Sequence, residues 1–274
     1  MKRQPELFNE NLSRRTATSE TDLIRKARRT FDFIGEGFSD PKAIPLFDAQ
    51  ALRDVPGFVK AYLAEQDWAE NFYTNINGSD ELLNALSEKA VQDNLAYTAK
   101  DNIVVTGGAV NAFSGLAYSL CDEGDVILAL APTYILFANS VHAFGGQMEL
   151  VDAQWDKTKG KYTVTQQALM DKLERCKSEG KRVKALFVVN PRNIDGQIWT
   201  SDEISGLAQV IRDNEIIVIE DKVYEGLQYD ESEGRAAFFG SDPEIRDYCI
   251  TIDSVSKRYG ATQWRVGWMF GPEK

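Results

Sequence analysis

Ile103-Val104-Val105-Thr106-Gly107-Gly108-Ala109-Val110-Asn111-Ala112-Phe113 is the stretch whose reading decides the fold. A β-branched apolar run ends in a threonine and two glycines. From Ala109 onward the apolar residues change period, with Ala109, Phe113, Leu116, Ala117 and Leu120 at i, i+4, i+7, i+8 and i+11. The first pattern is that of a strand buried on both faces, and the second that of an amphipathic helix packed on a sheet. The alternation then repeats. Val126-Ile127-Leu128, Ala185-Leu186-Phe187-Val188-Val189, Ile216-Ile217-Val218-Ile219 and Cys249-Ile250-Thr251-Ile252 are further apolar runs without a polar face. Ile204, Leu207, Ala208 and Ile211 repeat the helical period behind a Thr200/Glu203 capping box. Strands and helices alternating in this way predict an α/β domain with a mostly parallel sheet, whose ligands sit beyond the carboxyl ends of its strands.

Composition narrows the function classes. The chain has 274 residues, 43% hydrophobic and 27% charged, the balance of a globular protein. Its 42 acidic residues against 31 basic ones give a net charge of −11, a surface that repels phosphate backbones and anionic lipid, so neither nucleic acid nor membrane is expected as a partner. Cys121, Cys176 and Cys249 form no C-x-x-C pair and are odd in number, which fits a reducing compartment. The single histidine, His142, cannot build a multi-histidine metal site, and no metal is expected. The polar N-terminus has no apolar segment of a secretory signal, and no later stretch is apolar for long enough to span a membrane. A cytoplasmic protein is the expectation.

The residues just past each apolar run are the candidates for chemistry. Thr106-Gly107-Gly108-Ala109-Val110-Asn111 opens a helix, and its N–H groups with the helix dipole would cradle a phosphate. A glycine turn at that place also occurs for conformational reasons alone. Ala131-Pro132-Thr133-Tyr134 follows the second run, and Glu220-Asp221-Lys222-Val223-Tyr224 follows another. A carboxylate at a buried strand end needs a partner, although Asp221 capping a loop with Tyr224 packed beneath fits the same residues. Asn190-Pro191-Arg192-Asn193-Ile194-Asp195-Gly196 reads as a turn. Thr251-Ile252-Asp253-Ser254-Val255-Ser256-Lys257 is less generic: two serine hydroxyls and a lysine stand at a strand end, with Arg265 eight residues on. A lysine held near buried surface can lose its proton and trap a carbonyl, which an arginine cannot.

These motifs resemble those of the pyridoxal-phosphate-dependent aminotransferases of fold type I, class I/II, the aspartate aminotransferase superfamily. The resemblance runs from about Phe33 to Pro272, and its most specific parts are Ser254-x-Ser256-Lys257 with Arg265-x-Gly267-Trp268, and Asp221-x-x-Tyr224. It implies the large domain of that fold, a mostly parallel seven-stranded sheet sandwiched by helices, over residues 49–274, preceded by an N-terminal arm and small-domain segment over 1–48. It implies pyridoxal 5'-phosphate as cofactor, an amino acid and a 2-oxo acid as substrates, and a homodimer. By this likeness Lys257 holds the cofactor as an internal aldimine and shuttles the proton at Cα, and Asp221 keeps the pyridine nitrogen protonated. Tyr224 and Asn193 hydrogen-bond the ring's 3′-oxygen, and Tyr134 stacks on the ring. Ser254, Arg265 and the backbone of Gly108, Ala109 and Val110 hold the phosphate, with Tyr73 reaching the phosphate of the neighbouring subunit.

Some residues depart from the family's pattern. Asn193-Ile194-Asp195-Gly196 stands where Asn-Pro-x-Gly is usual, Lys222 where a glutamate often follows the aspartate, and Ala109 where many members have serine. The chain stops at Lys274, where the family continues into a C-terminal small domain carrying the arginine for the substrate's α-carboxylate, so that domain is expected to be absent. Lyases and decarboxylases of the same fold share every residue named, since the bond broken depends on which one is held perpendicular to the ring. A catalytically silent cofactor-binding domain is the third reading.

Overall fold

The computed structural model describes residues 54–66, 73–134, 136–228 and 236–273; the basic patch at 25–29 and the arm expected over 1–48 lie outside them. Apart from short 3₁₀ turns, the described residues form, in chain order, α1 (Gly57–Glu65), α2 (Asp80–Gln92), β1 (Ile103–Thr106), α3 (Ala109–Leu120), β2 (Asp125–Leu130), α4 (Phe137–Ala143), β3 (Gln147–Val151), a hairpin of β4 (Gln154–Asp156) and β5 (Lys161–Thr163), α5 (Gln166–Ser178), β6 (Arg182–Val189), α6 (Ser201–Asp213), β7 (Ile217–Asp221), β8 (Cys249–Ser254) and β9 (Gly267–Phe270). Seven of the strands make one sheet in the order β1-β9-β8-β7-β6-β2-β3. Within it β9 alone runs against its neighbours, and every other pairing is parallel. Each apolar run read as a strand is one, but β1 stands at the sheet's edge, where only Ile103 of its residues is buried, rather than being covered on both faces. Strands β3 and β9 were not legible, because β3 is a half-polar edge strand and β9 is four residues beginning with glycine, too short to display a period.

The absence of alternation in the central strands has a direct cause: both faces are covered. Val126, Leu128, Leu186, Val188 and Val218 point to one side, where Ile204, Leu207 and Ile211 of α6 and Leu169 of α5 pack on them. Ile127, Ala129, Phe187, Ile219 and Ile252 point to the other, against Phe113 and Leu116 of α3 and Phe137 and Val141 of α4. Each such aliphatic side chain contributes about 1.5–3 kcal/mol by leaving water. The capping box at α6 forms as read, with Glu203 N donating to Thr200 Oγ1 at 3.3 Å and Thr200 N donating to Glu203 Oε2 at 3.1 Å. Leu83, Leu86 and Ala90 of α2 cover Ile103, Trp268 and Phe270 at the β1–β9 end of the sheet. All three cysteines are buried and free.

What seats α3 on the sheet is a triangle of aromatic rings. Phe113, Phe137 and Phe187 have centroids 4.6–4.9 Å apart in edge-on and tilted arrangements, and Phe113 is fully buried. The Phe113→Ala variant should lose about 3–5 kcal/mol of unfolding free energy in a urea titration.

Candidate functional site

The carboxyl ends of the parallel strands collect the candidate residues along one edge of the sheet, and strand register sets their spacing. Thr106 of β1 pairs with Gly267 of β9, and Gly267 pairs with Ser254 of β8, so three strand ends stand in one row. Directly above that row the chain turns through Gly107 and Gly108 into α3. Gly108 has φ +96°, and a Cβ there would come within 2.5 Å of Arg265 Nη2. A Cβ on Gly267 would meet the Cα of Gly108 at 2.7 Å, backbone against backbone, so Gly108 is required by its torsion and Gly267 by space. Thr106 Oγ1 donates to the Gly108 carbonyl at 3.1 Å, and Gly107 N donates to Asn111 Oδ1 at 3.0 Å, which fixes the turn.

Arg265 reaches this turn from a left-handed backbone position, φ 52° and ψ 45°, which is costly for an arginine. Its Nη2 donates to Gly107 O at 3.2 Å and its Nη1 to Thr262 O at 3.0 Å. The guanidinium therefore stands at the N-terminus of α3, beside the N–H groups of Ala109 and Val110. Two positive ends have been brought together, an arrangement that invites an anion between them. Ser254 is buried in the same row, and its Oγ accepts from Ser256 N at 3.3 Å.

Asp221 ends β7 on the face of the sheet that carries α3 and α4, two residues beyond Ile219. It accepts one hydrogen bond, from Val223 N at 3.0 Å, and among the described residues no side chain donates to it. Burial pushes its carboxyl from the ordinary 3.8 up to about 7; the Val223 N–H opposes the shift, neighbouring Glu220 adds to it, and the Lys257 ammonium pulls it back. Lys257 is thus within electrostatic reach of Asp221, although 36 residues separate them (257 − 221). Tyr224 packs partly into the α3–α4 core, and its hydroxyl accepts from Asn193 Nδ2 at 2.5 Å. Asp221 bonding locally and Tyr224 packing, the plainer reading of that motif, are both realised, and they coexist with a half-buried hydroxyl partner in Asn193. Tyr134 is half-buried, edge-on to Phe137 at 5.6 Å, and the adjacent Thr133 hydroxyl is buried with no hydrogen-bond partner among the described residues.

Arg192 does not join the site. It is buried in its own loop, where Nε and Nη2 fork onto Asp195 at 3.0 and 2.7 Å, Nη2 also donates to Tyr162 O at 3.0 Å, and the guanidinium lies 5.7 Å from the Trp199 ring centre. Asp195, part of the unusual Ile194-Asp195 pair, is the counter-charge that makes this possible. Tyr73 is fully exposed ahead of α2, and among the described residues no hydrogen bond or ring contact joins it to the others. The sequence reading passed over Asp253 and Glu220. Asp253 accepts Ser254 N at 2.7 Å, and burial pushes its carboxyl to about 7, with Glu225 adding to the shift. Glu220 is fully buried and accepts the N–H groups of Phe239 and Gly240, each at 2.9 Å. A signal for both was present: acidic residues written into otherwise apolar strands.

With this geometry in place, comparison with known proteins is decisive. The family model described as aminotransferase class I and II matches residues 44–274. The chain belongs to the class I and II aminotransferases. An aspartate aminotransferase of Streptomyces avermitilis is 31% identical over 204 residues, covering 73% of this chain and 47% of the relative. A probable aspartate/prephenate aminotransferase of Aquifex aeolicus is 28% identical, covering 94% of this chain and 60% of the relative. Among solved structures, the aspartate aminotransferase from Rhizobium meliloti superposes with a TM-score of 0.79 at 24% identity, over 96% of this chain and 63% of that one, which establishes the shared fold type I architecture. The chain thus spans about half to three-fifths of the length of the curated relatives it matches. Aminotransferases of this family use pyridoxal phosphate.

Burial raises three carboxyls in the cofactor-free chain, Glu220, Asp221 and Asp253, and these set a pH dependence. Asp221 and Asp253 hold protons in the folded state that the unfolded chain releases above about 3.8, so their stabilisation is complete below that value and is lost as pH rises through about 7. Asp93, Glu149 and Glu203 are lowered by their lysine partners, and their stabilisation is lost only on acidification below the ordinary carboxyl range. Urea midpoints should therefore fall between about pH 5 and pH 8. Asp221→Asn should remove part of that slope and raise the midpoint at pH 8, an effect on the order of 2–4 kcal/mol.

Proposed function

We propose that this chain is the cofactor-binding large domain of a pyridoxal-phosphate-dependent aminotransferase that moves an amino group from an amino acid to a 2-oxo acid, and that the protein works as a homodimer in a reducing, cytoplasmic setting. The observation that carries the reading is the convergence of Arg265 with the N-terminus of α3 over the Gly108–Gly267 contact. A guanidinium held at a helix N-terminus by a left-handed backbone adds its charge to the helix's own positive end, and a phosphate-like anion between the two accounts for both.

The remaining residues fit the cofactor. Ser254, Arg265 and the N–H groups of Gly108, Ala109 and Val110 would hold the phosphate. Asp221, a desolvated carboxyl with no side-chain donor among the described residues, would face the pyridine nitrogen, whose positive charge supplies the partner that burial demands. Tyr224 and Asn193 would serve the ring's 3′-oxygen as one hydrogen-bonded pair, and Tyr134 would lie against the ring. When bound, the cofactor supplies an electron-accepting ring conjugated to the substrate's Cα. Lys257 Nζ would hold the cofactor and then take and return the proton at Cα. Asp221 would keep the ring nitrogen protonated while this happens. The fully exposed Tyr73 supports the dimer, because a ring presented entirely to solvent ahead of α2 is free to enter a neighbouring subunit's phosphate site. The three buried free thiols support the reducing compartment.

Two measurements test this. Borohydride reduction of the cofactor-loaded chain, followed by peptide mapping, should mark Lys257; a label on Lys222 instead would overturn the assignment. Arg265→Gln should weaken binding of pyridoxal phosphate by about 10–100-fold, the scale of one or two charge-assisted hydrogen bonds, and leave the affinity for pyridoxal unchanged. Equal losses for both ligands would remove Arg265 from the phosphate site.

A further inference from the structure

Successive residues at the end of β7 leave the strand on opposite sides, and the side away from Asp221 is as constrained as the site itself. Lys222, next to Asp221, is buried, and its Nζ stands 2.8 Å from Asp93 Oδ2, 3.3 Å from Glu225 Oε1 and 4.2 Å from the centre of the Phe238 ring. Lys89 of α2 meets the same two carboxylates, Asp93 at 2.8 Å and Glu225 at 2.9 Å. Lys89, Asp93, Lys222 and Glu225 therefore close a ring of alternating charge. Arg258, the residue after Lys257, joins it at Glu225 with 3.3 Å. Asp93 caps the C-terminal end of α2, so the ring ties three places together: α2, the turn carrying Asp221 and Tyr224, and the segment carrying Lys257.

Apolar packing at this junction runs through Val255, which lies against the α2 cluster, and charge supplies the contacts of the turn itself. Clefts of about 700 and 500 Å³ flank the ring, and Asp93, Glu225 and Arg258 line both of them. A buried ammonium is tolerable only while its counter-charges are in contact, and a closed ring satisfies all four members in one placement of the turn. Shifting the turn strips contacts from several charges at once, so the junction resists displacement more sharply than a greasy contact would. On the same side of the strand as Lys222, two N–H bonds to Glu220, from Phe239 and Gly240, add to the hold.

We propose that Lys222 is a positioning residue: through the ring with Asp93, Glu225 and Lys89 it latches the Asp221–Tyr224 turn to α2 and so sets where the Asp221 carboxyl and the Tyr224 hydroxyl stand. The inference rests on the reading that those two groups face the cofactor. It explains why a lysine is accommodated at a place where the family often has glutamate: its counter-charges are supplied by Asp93 and Glu225.

The test uses the full chain with Lys222→Met, and with Asp93→Asn as a second break on the far side of the ring should the first variant fail to fold. Amide hydrogen exchange without cofactor should accelerate across residues 221–226 while β2 and β6 keep the parent's protection. Affinity for pyridoxal phosphate, followed by absorbance, should fall about tenfold, the scale for loss of a supporting contact behind a ligand group. The pH midpoint of the bound cofactor's absorbance change should also move. A folded variant with parent exchange in 221–226 and parent affinity would overturn the latch, as would protection lost evenly over the whole sheet. If the parent chain itself fails to take the cofactor at Lys257, the functional reading falls, and the exchange measurement still decides whether the ring holds the turn.

Discussion

The approach of Gly267 to Gly108 is the constraint on which the rest of the site depends. At 2.7 Å from a would-be Cβ to the opposing Cα, the first residue of β9 and the turn into α3 touch backbone to backbone. That contact lets the antiparallel strand β9 slot between β1 and β8 at the level where the turn begins, and it brings Arg265, two residues before Gly267, onto the helix N-terminus. A side chain at Gly267 would push β9 away from the turn into α3, and one at Gly108 would displace the Arg265 guanidinium. The strained backbone of Arg265 is a cost of the same geometry, held in place by strands whose own pairing is unstrained.

Charge is the second theme. Asp221, Glu220 and Asp253 are carboxyls taken out of water at the ends of β7 and β8, and only Glu220 has its two oxygens met by backbone N–H groups in the cofactor-free chain. Burial holds all three towards protonation, a cost that a cationic ligand atom can release at Asp221. A net stability of only 5–15 kcal/mol for a typical domain makes such a deficit worth offsetting. The ring around Lys222 and the Arg192–Asp195 fork do so locally, because each buried cation there faces carboxylates at hydrogen-bond distance.

The departures from the usual family pattern prove to be connected to partners. Lys222 belongs to the ring, and Asp195 neutralises Arg192, which otherwise would be a buried bare guanidinium. Ala109 loses a hydroxyl at the phosphate turn but keeps its N–H at the head of α3, and its small side chain packs into the α3–α4 core. These are changes in the supports of the site rather than in the groups that face the ligand.

Local pattern was enough for five of the seven strands of the main sheet, for α3, and for the capping box at α6, because apolar runs and helical period are written in consecutive residues. It was enough, too, for the placing of Asp221, Ser254 and Lys257 at strand ends, where an apolar run stops and polar residues begin. It could not place β9, whose four residues become a strand only by filling the gap between β1 and β8. Nor could it say that Arg192 turns into its own loop while Arg265 turns onto α3, since the direction of a long cation is set by the carboxylate or helix end it finds. Asp93 and Lys222 lie 129 residues apart, and their pairing at 2.8 Å exists only because the sheet and α2 bring both to one point. Local sequence carries propensity and burial, whereas electrostatic partners act through distance in space, and distance in space is what folding alone creates.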